Sequence, residues 1–178
     1  MTGEQPLVAQ YAEPQPEFLL LVDPAWTATA EEPEPPLEAV QGAWTFTATH
    51  HGRFRPSPFY RPSSSDVPLD PVDALMREIA AGQAADDLTK LLGEVVLSVA
   101  LGEDGTAVVG SAPDGTAVVL VATAYGHRDR VNADDWLEVD VRELAAALPE
   151  RGVEVLLNPG AAASMVVPAD VIREIAGS

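Results

Sequence analysis

"EVLLNPGAAASMVVPADVIREI", residues 154 to 175, holds an apolar run, an Asn-Pro-Gly turn through small residues, a second apolar run and a helical period. Val153 to Leu157 reads as a strand, and Met165 to Val167 as a shorter one beside it. Pro168 opens a last helix that buries Val171, Ile172 and Ile175 on one side. The loop between the strands admits two readings. A phosphate cradle needs a helix N-terminus after the glycine, but a strand follows here. A nucleophile at Ser164 needs a motif-linked histidine, and none is present. A tight connection that needs Gly160 for its backbone angles is the reading the residues favour.

Working upstream, Trp136 to Val139 forms a strand that meets Asp140, and Asp140 with Glu143 makes a capping-box pattern. Val141, Leu144, Ala145 and Leu148 then fall on one helical stripe before Pro149. A strand–helix–strand passage of this kind puts helices on a sheet and predicts a right-handed crossover. Before it, Glu94 to Leu101 and two copies of "DGTAVV", at 104 to 109 and 114 to 119, predict a meander turning at Asp-Gly pairs. Asp70 and Pro71 start a helix with Val72, Leu75, Met76 and Ile79 on one face, stopped by Gly82. A shorter helix is expected from Asp86 to Leu92.

The N-terminal third is less regular. Residues 1 to 16 read as a flexible tail. Glu17 to Val22 reads as a buried strand closed by Asp23-Pro24, and Val40 to Thr47 alternates as a second, with Trp44 and Phe46 on one face. Between them "TATAEEPEPPLE", residues 27 to 38, is an acidic, proline-rich loop. Residues 48 to 69 form a long irregular segment. The sum is one α/β domain over residues 17 to 178, with α+β as the alternative: a mixed sheet of about five to seven strands carrying packed helices.

With 178 residues, 47% of them hydrophobic, the chain can bury a real core. Its net charge of −18 repels phosphates, which argues against nucleic acid and anionic membranes as partners. The absence of cysteine excludes disulfide and thiolate chemistry. Met1 to Gln5 lacks a charged and apolar leader, and the run at Ala117 to Ala122 is too short to span a bilayer, so a cytoplasmic protein is expected. No dinucleotide, Walker-type or nucleophile-elbow glycine motif occurs, and no cofactor is implied. His50 and His51 point to opposite sides of an extended chain, so with His127 they make a poor zinc set. Asp134-Asp135 and Asp86-Asp87 read as caps or solvated pairs, and Asp104 and Asp114 as turn residues.

One asymmetry stands out. Ala39 to Ser65 contains no acidic residue and carries Arg53, Arg55 and Arg61, giving +3 in a chain of −18. Phe54, Phe59 and Tyr60 are interleaved with them. Arginine and aromatic side chains dominate interface hot spots, and arginine pairs carboxylates with two-pronged geometry. Arg53, Arg55, Phe59, Tyr60 and Arg61 are therefore the candidate partner-binding residues. The competing reading folds the arginines onto the acidic body and the rings into the core. "YGHRDRV", residues 125 to 131, reads as a weaker basic surface loop.

Three stretches together resemble actinobacterial type VII secretion system-associated proteins. They are "LLLVDPAW" with "VQGAWTF", "FRPSPFYRPS", and "VDVRELAAALPERGVEVLLNPGAAASMVVPADVIREI". The last is similar to the ending of the SseB-like (enhanced serine sensitivity) domain, and the resemblance spans residues 17 to 176. It implies a non-enzymatic accessory role beside a secretion apparatus, with a secretion substrate or machinery component as protein partner. The composition fixes no oligomeric state. Two other classes stay open at this point: a hydrolase-like enzyme with a pocket near Ser164 and His127, and an acidic mimic of a polyanion.

Overall fold

A computed structural model describes residues 17–47, 51–83 and 87–177. The expected N-terminal tail, His50 and Asp86 lie outside these residues. Among the described residues the chain is an α/β fold with a six-stranded mixed sheet, five helices and a separate three-stranded antiparallel sheet.

The main sheet contains β4 (Leu97–Leu101), β5 (Val109–Ser111), β6 (Ala117–Ala122), β7 (Asp135–Val139), β8 (Glu154–Leu157) and β9 (Met165–Val167). Its order is β7-β4-β6-β8-β9, and β5 pairs with the first half of β6. β6 and β8 run parallel, while β8 and β9 form the antiparallel pair read from the opening stretch. Both Asp-Gly turns hold their glycine at positive φ, 74° for Gly105 and 89° for Gly115. Each aspartate accepts the amide two residues on, at Thr106 and Thr116.

Helices α1 (Pro71–Ala80), α2 (Leu88–Gly93), α4 (Val141–Ala147) and α5 (Ala169–Ala176) supply Val72, Met76, Leu92, Val141, Leu144 and Ile172 to one core. That core meets Leu97, Val99, Val119, Val121, Val155 and Leu157, the alternate residues of three strands. Asp70 caps α1 through the amides of Val72 and Asp73, and Asp140 with Glu143 closes the capping box of α4. The opposite face carries Ser98 and Ala100, and the Arg128 side chain of the short helix α3 (Tyr125–Arg128) reaches it at Ser98. "YGHRDRV" is thus a short helix and turn, buried at His127 and exposed at Gly126, Asp129 and Arg130. The Arg128 guanidinium donates to Ser98 Oγ at 2.7 Å and sits 3.8 Å from the Tyr125 ring centroid, and the His127 side chain is buried. The stem of Arg128 covers sheet that a polar loop would leave wet.

The small sheet is β1 (Glu17–Val22), β2 (Val40–Phe46) and the two-residue β3 (Arg55–Pro56), in that order. β1 was expected to be buried. It is instead an edge strand, with Phe18 62%, Leu19 56% and Leu20 44% exposed. An apolar run records that a strand forms, while its position in the sheet depends on a partner strand distant in sequence. The segment read as irregular holds the bolt between the two sheets. Phe54 N–H donates to the Glu94 carbonyl at 2.8 Å, Val96 N–H donates to Phe54 at 2.9 Å, and the Phe54 ring lies on Gly42.

A Cβ at Gly42 would sit 2.4 Å from both the Arg55 carbonyl oxygen and Phe54 Cζ. Gly42→Ala must therefore shift backbone. It is expected to cost about 2 kcal/mol, as overpacking does, read as a fall of several degrees in Tm. An unchanged Tm would show that the small sheet can move off without loss.

Candidate functional site

The five candidate residues do not form one surface. Arg53 pairs with Asp140 at 3.1 Å and donates through Nε to the Gly93 carbonyl at 3.3 Å. Arg55 pairs with Glu138 at 3.1 Å. Phe59 is 56% exposed on the turn after β3, whereas Tyr60 is only 7% exposed. Arg61 is exposed, and its Nη1 donates to the Tyr60 carbonyl at 3.0 Å.

Tyr60 is accordingly removed from the contact surface. Its hydroxyl donates to Asp23 Oδ2 at 2.8 Å. Asp23 also accepts Ser63 N–H at 2.9 Å, Ser63 Oγ–H at 2.7 Å and Ala25 N–H at 2.9 Å. The Asp-Pro and Tyr-Arg-Pro-Ser motifs are two halves of one clasp. Burial alone would raise the Asp23 carboxyl, but the bonds from Ser63, Ala25 and Tyr60 together bring it down to about 2. Burial and that same carboxylate push the Tyr60 phenol up, so it stays a donor.

Arg53 stands where two cavities meet. One groove, about 580 Å³, is lined by Leu19, Trp44 and Phe46 of the small sheet and by His51 and Gly52 before β3, facing Gly93 and Glu94. The other, about 450 Å³, is lined by Lys90 of α2, Val141 and Arg142 of α4, and Val171 and Ile175 of α5. Arg53, Gly93 and Glu94 belong to both. The result is a trough of apolar side chains with three cations, of which Arg53 is paired with Asp140, and two carboxylates, Glu94 and Glu174, running from the open edge of β1 to the gap between α4 and α5. The Trp44 ring is held by the Phe54 ring, 4.7 Å between centroids.

A second constellation lies at the carboxyl ends of the parallel strands, where Thr123 follows β6 and Asn158 follows β8. Asp70, Asp73, Thr123, His127 and Asn158 are all buried there. Thr123 Oγ donates to Asp70 Oδ2 at 2.6 Å, and Asn158 Oδ1 accepts Thr123 N–H at 2.9 Å. Asn158 takes φ 49° to make this contact, a conformation asparagine tolerates. Arg77 holds Asp73 through two nitrogens, at 3.0 and 3.3 Å. His127 Nδ1 lies 2.9 Å from Arg130 Nη1, which can only donate, so the imidazole is neutral with its proton on Nε2. Burial holds the His127 pKa down and raises the Asp70 carboxyl to about 6. The cluster fastens the start of α1 to the ends of β6 and β8.

Ser164 Oγ donates to the Leu157 carbonyl at 3.2 Å, and the polar contacts of His127 are Arg130, Asp70 and Asp73. Ser164 and His127 therefore make no nucleophile–base pair. Among the described residues no group of three or more His, Cys, Asp or Glu side chains is placed to hold a metal ion, and no helix is long and apolar enough to cross a membrane.

No protein-family model, curated protein or solved structure matches this chain. Function is read from its own geometry. Sequence reasoning found Arg53 but missed Lys90, Arg142, Leu19 and the α5 residues that complete the trough. The one usable signal was Lys90, the sole lysine, on a short helix next to Gly93.

Proposed function

We propose that the chain is a non-enzymatic accessory protein that binds an extended segment of another protein, acidic at its ends and apolar at its centre. The trough of Leu19, Trp44, Phe46, Arg53, Lys90 and Arg142 is the observation that carries this reading. The open edge of β1 offers main-chain hydrogen bonds to an added strand, the mode by which sheet edges capture peptides. Leu19, Trp44 and Phe46 supply the apolar contact, and Lys90 and Arg142, beside Glu94 and Glu174, supply local positive charge in a chain of −18. In the cytoplasm of an actinobacterium the partner is a type VII secretion substrate or a component of its machinery. That setting rests on the motif resemblance of residues 17 to 176.

Lys90→Glu with Arg142→Glu tests the trough, because both side chains are exposed and neither forms an ion pair among the described residues. A glutamate at 142 also suits the first turn of α4, so the fold should hold. Overlapping peptides spanning the proteins of the secretion cluster should contain wild-type binders with acidic flanks around an apolar core. The double variant should bind them about tenfold or more weakly, at unchanged Tm. Arg55→Glu should bind as wild type. Equal binding by the double variant, or loss in Arg55→Glu alone, would overturn the assignment.

A further inference from the structure

Nine arginines stand in a chain of −18, and five of them, Arg53, Arg55, Arg77, Arg128 and Arg173, hold a carboxylate within 4.0 Å. Among the described residues Arg142 and Arg151 do not, and neither do Arg61 and Arg130, although acids outnumber bases almost three to one, 28 against 10. Arg61 and Arg130 line the same cavity, of about 370 Å³, with Ser57, Tyr60, Leu69 and Gly126. Each guanidinium is fixed by a neutral acceptor instead of an acid. Arg61 Nη1 donates to the Tyr60 carbonyl at 3.0 Å, and Arg130 Nη1 to His127 Nδ1 at 2.9 Å. Neutral acceptors orient the groups and leave their charge uncancelled.

The position matters as much as the charge. Ala124, in the cavity wall, follows β6, and Arg130 packs beside Gly160 just beyond β8, with its Cβ 3.5 Å from where a Gly160 Cβ would lie. The cavity thus opens at the carboxyl ends of the parallel pair, the place where open α/β sheets hold their ligands. Beneath it the Asp70–Thr123–Asn158 joint keeps both strand ends still, and His127 anchors Arg130 to that joint. Asp129 is the one carboxylate in the lining, so the cavity keeps a net positive charge.

We infer that this cavity is a binding site for a small organic anion, a carboxylate or phosphate held between Arg61 and Arg130 with its apolar part on Leu69 and Tyr60. Two planar forks suit an oxyanion with two or three oxygens, and Asp129 is available to accept from a hydroxyl or amine on the same ligand. The trough proposed for protein binding is a different cavity, so either assignment can fail without the other.

Titration calorimetry of the full chain at low salt with phenyl phosphate, benzoate and neutral benzyl alcohol tests the site. Saturable one-to-one binding of an anion, with no heat from benzyl alcohol, is the expected result. Tighter phenyl phosphate identifies a phosphate site, and tighter benzoate a carboxylate site. Arg61→Gln and Arg130→Gln should each weaken binding about tenfold or more, as loss of a charged hydrogen bond does, while Lys90→Gln should bind as wild type. If Arg130→Gln loosens the fold through His127, Arg61→Gln decides, since among the described residues its guanidinium makes one hydrogen bond, to the Tyr60 carbonyl. Absence of saturable anion binding, wild-type affinity in Arg61→Gln, or equal loss in Lys90→Gln overturns the inference.

Discussion

Phe54→Ala is expected to cost about 4 kcal/mol, the loss typical of a buried ring replaced by a methyl, and to release the small sheet before the main core opens. The ring is 1% exposed and fills the space over Gly42 while supporting Trp44. Its backbone is also a link, bonded to Glu94 and Val96 on the segment entering β4. Alanine keeps those two backbone bonds and removes the packing that makes β1 and β2 follow them. Hydrogen exchange separates the two effects: amides of β1 and β2 should exchange at low opening free energy, while those of β6 and β8 report the global loss. Peptide capture by the trough should fall with the β1 and β2 protection, because Trp44 and Leu19 would lose their support. Uniform loss of protection across both sheets would show instead that the small sheet is part of one cooperative unit.

Phe54 also marks how far the sequence could be read. Residues 135 to 176 were legible because every signal there is local: the Asp140 and Glu143 cap, the helical stripes and the Gly160 turn are contacts within a few residues. The same holds for the Asp-Gly turns, where Thr106 and Thr116 bond back to Asp104 and Asp114. Phe54 is different. Its role depends on Gly42 and on Glu94 to Val96, and nothing in "GRFRPSP" says which distant strand the ring will meet. The clasp shows the same limit. Asp23 and Tyr60 were singled out as motif residues, yet that one bonds the other is a fact of tertiary structure. The trough was hidden for the same reason, since Lys90, Arg142 and Ile175 come from three helices that carry no common pattern. Charge patterning identified the arginine-rich segment but not which guanidiniums the fold would neutralise. Arg53 and Arg55 found Asp140 and Glu138, both in the acidic remainder, as electrostatics alone would favour.

Asp70→Asn should make the protein more stable than wild type above about pH 7, by on the order of 3 kcal/mol, and leave it equal below about pH 3. The sign follows from burial. The Asp70 carboxyl is raised from its ordinary 3.8 to about 6 in the fold. A carboxyl whose folded value is raised favours folding while protonated, and that advantage is lost as pH climbs from the unfolded value through the folded one. His127 works in the opposite direction, since its depressed folded value costs stability at acid pH and costs nothing once the free imidazole is also neutral. In wild type the two slopes oppose each other across this window, with Asp73, Arg77 and Arg130 as the other charges facing the pair. Asparagine removes only the first slope. It still caps α1, because Oδ1 can accept from Val72 and Asp73, and its amide can donate to Thr123 Oγ. Urea unfolding of both proteins across this range should therefore give curves that diverge upward for the variant as pH rises. A variant weaker than wild type at high pH would mean that the buried charge itself holds the joint, with the Thr123 hydroxyl and the first amides of α1 stabilising a carboxylate more than burial disfavours it.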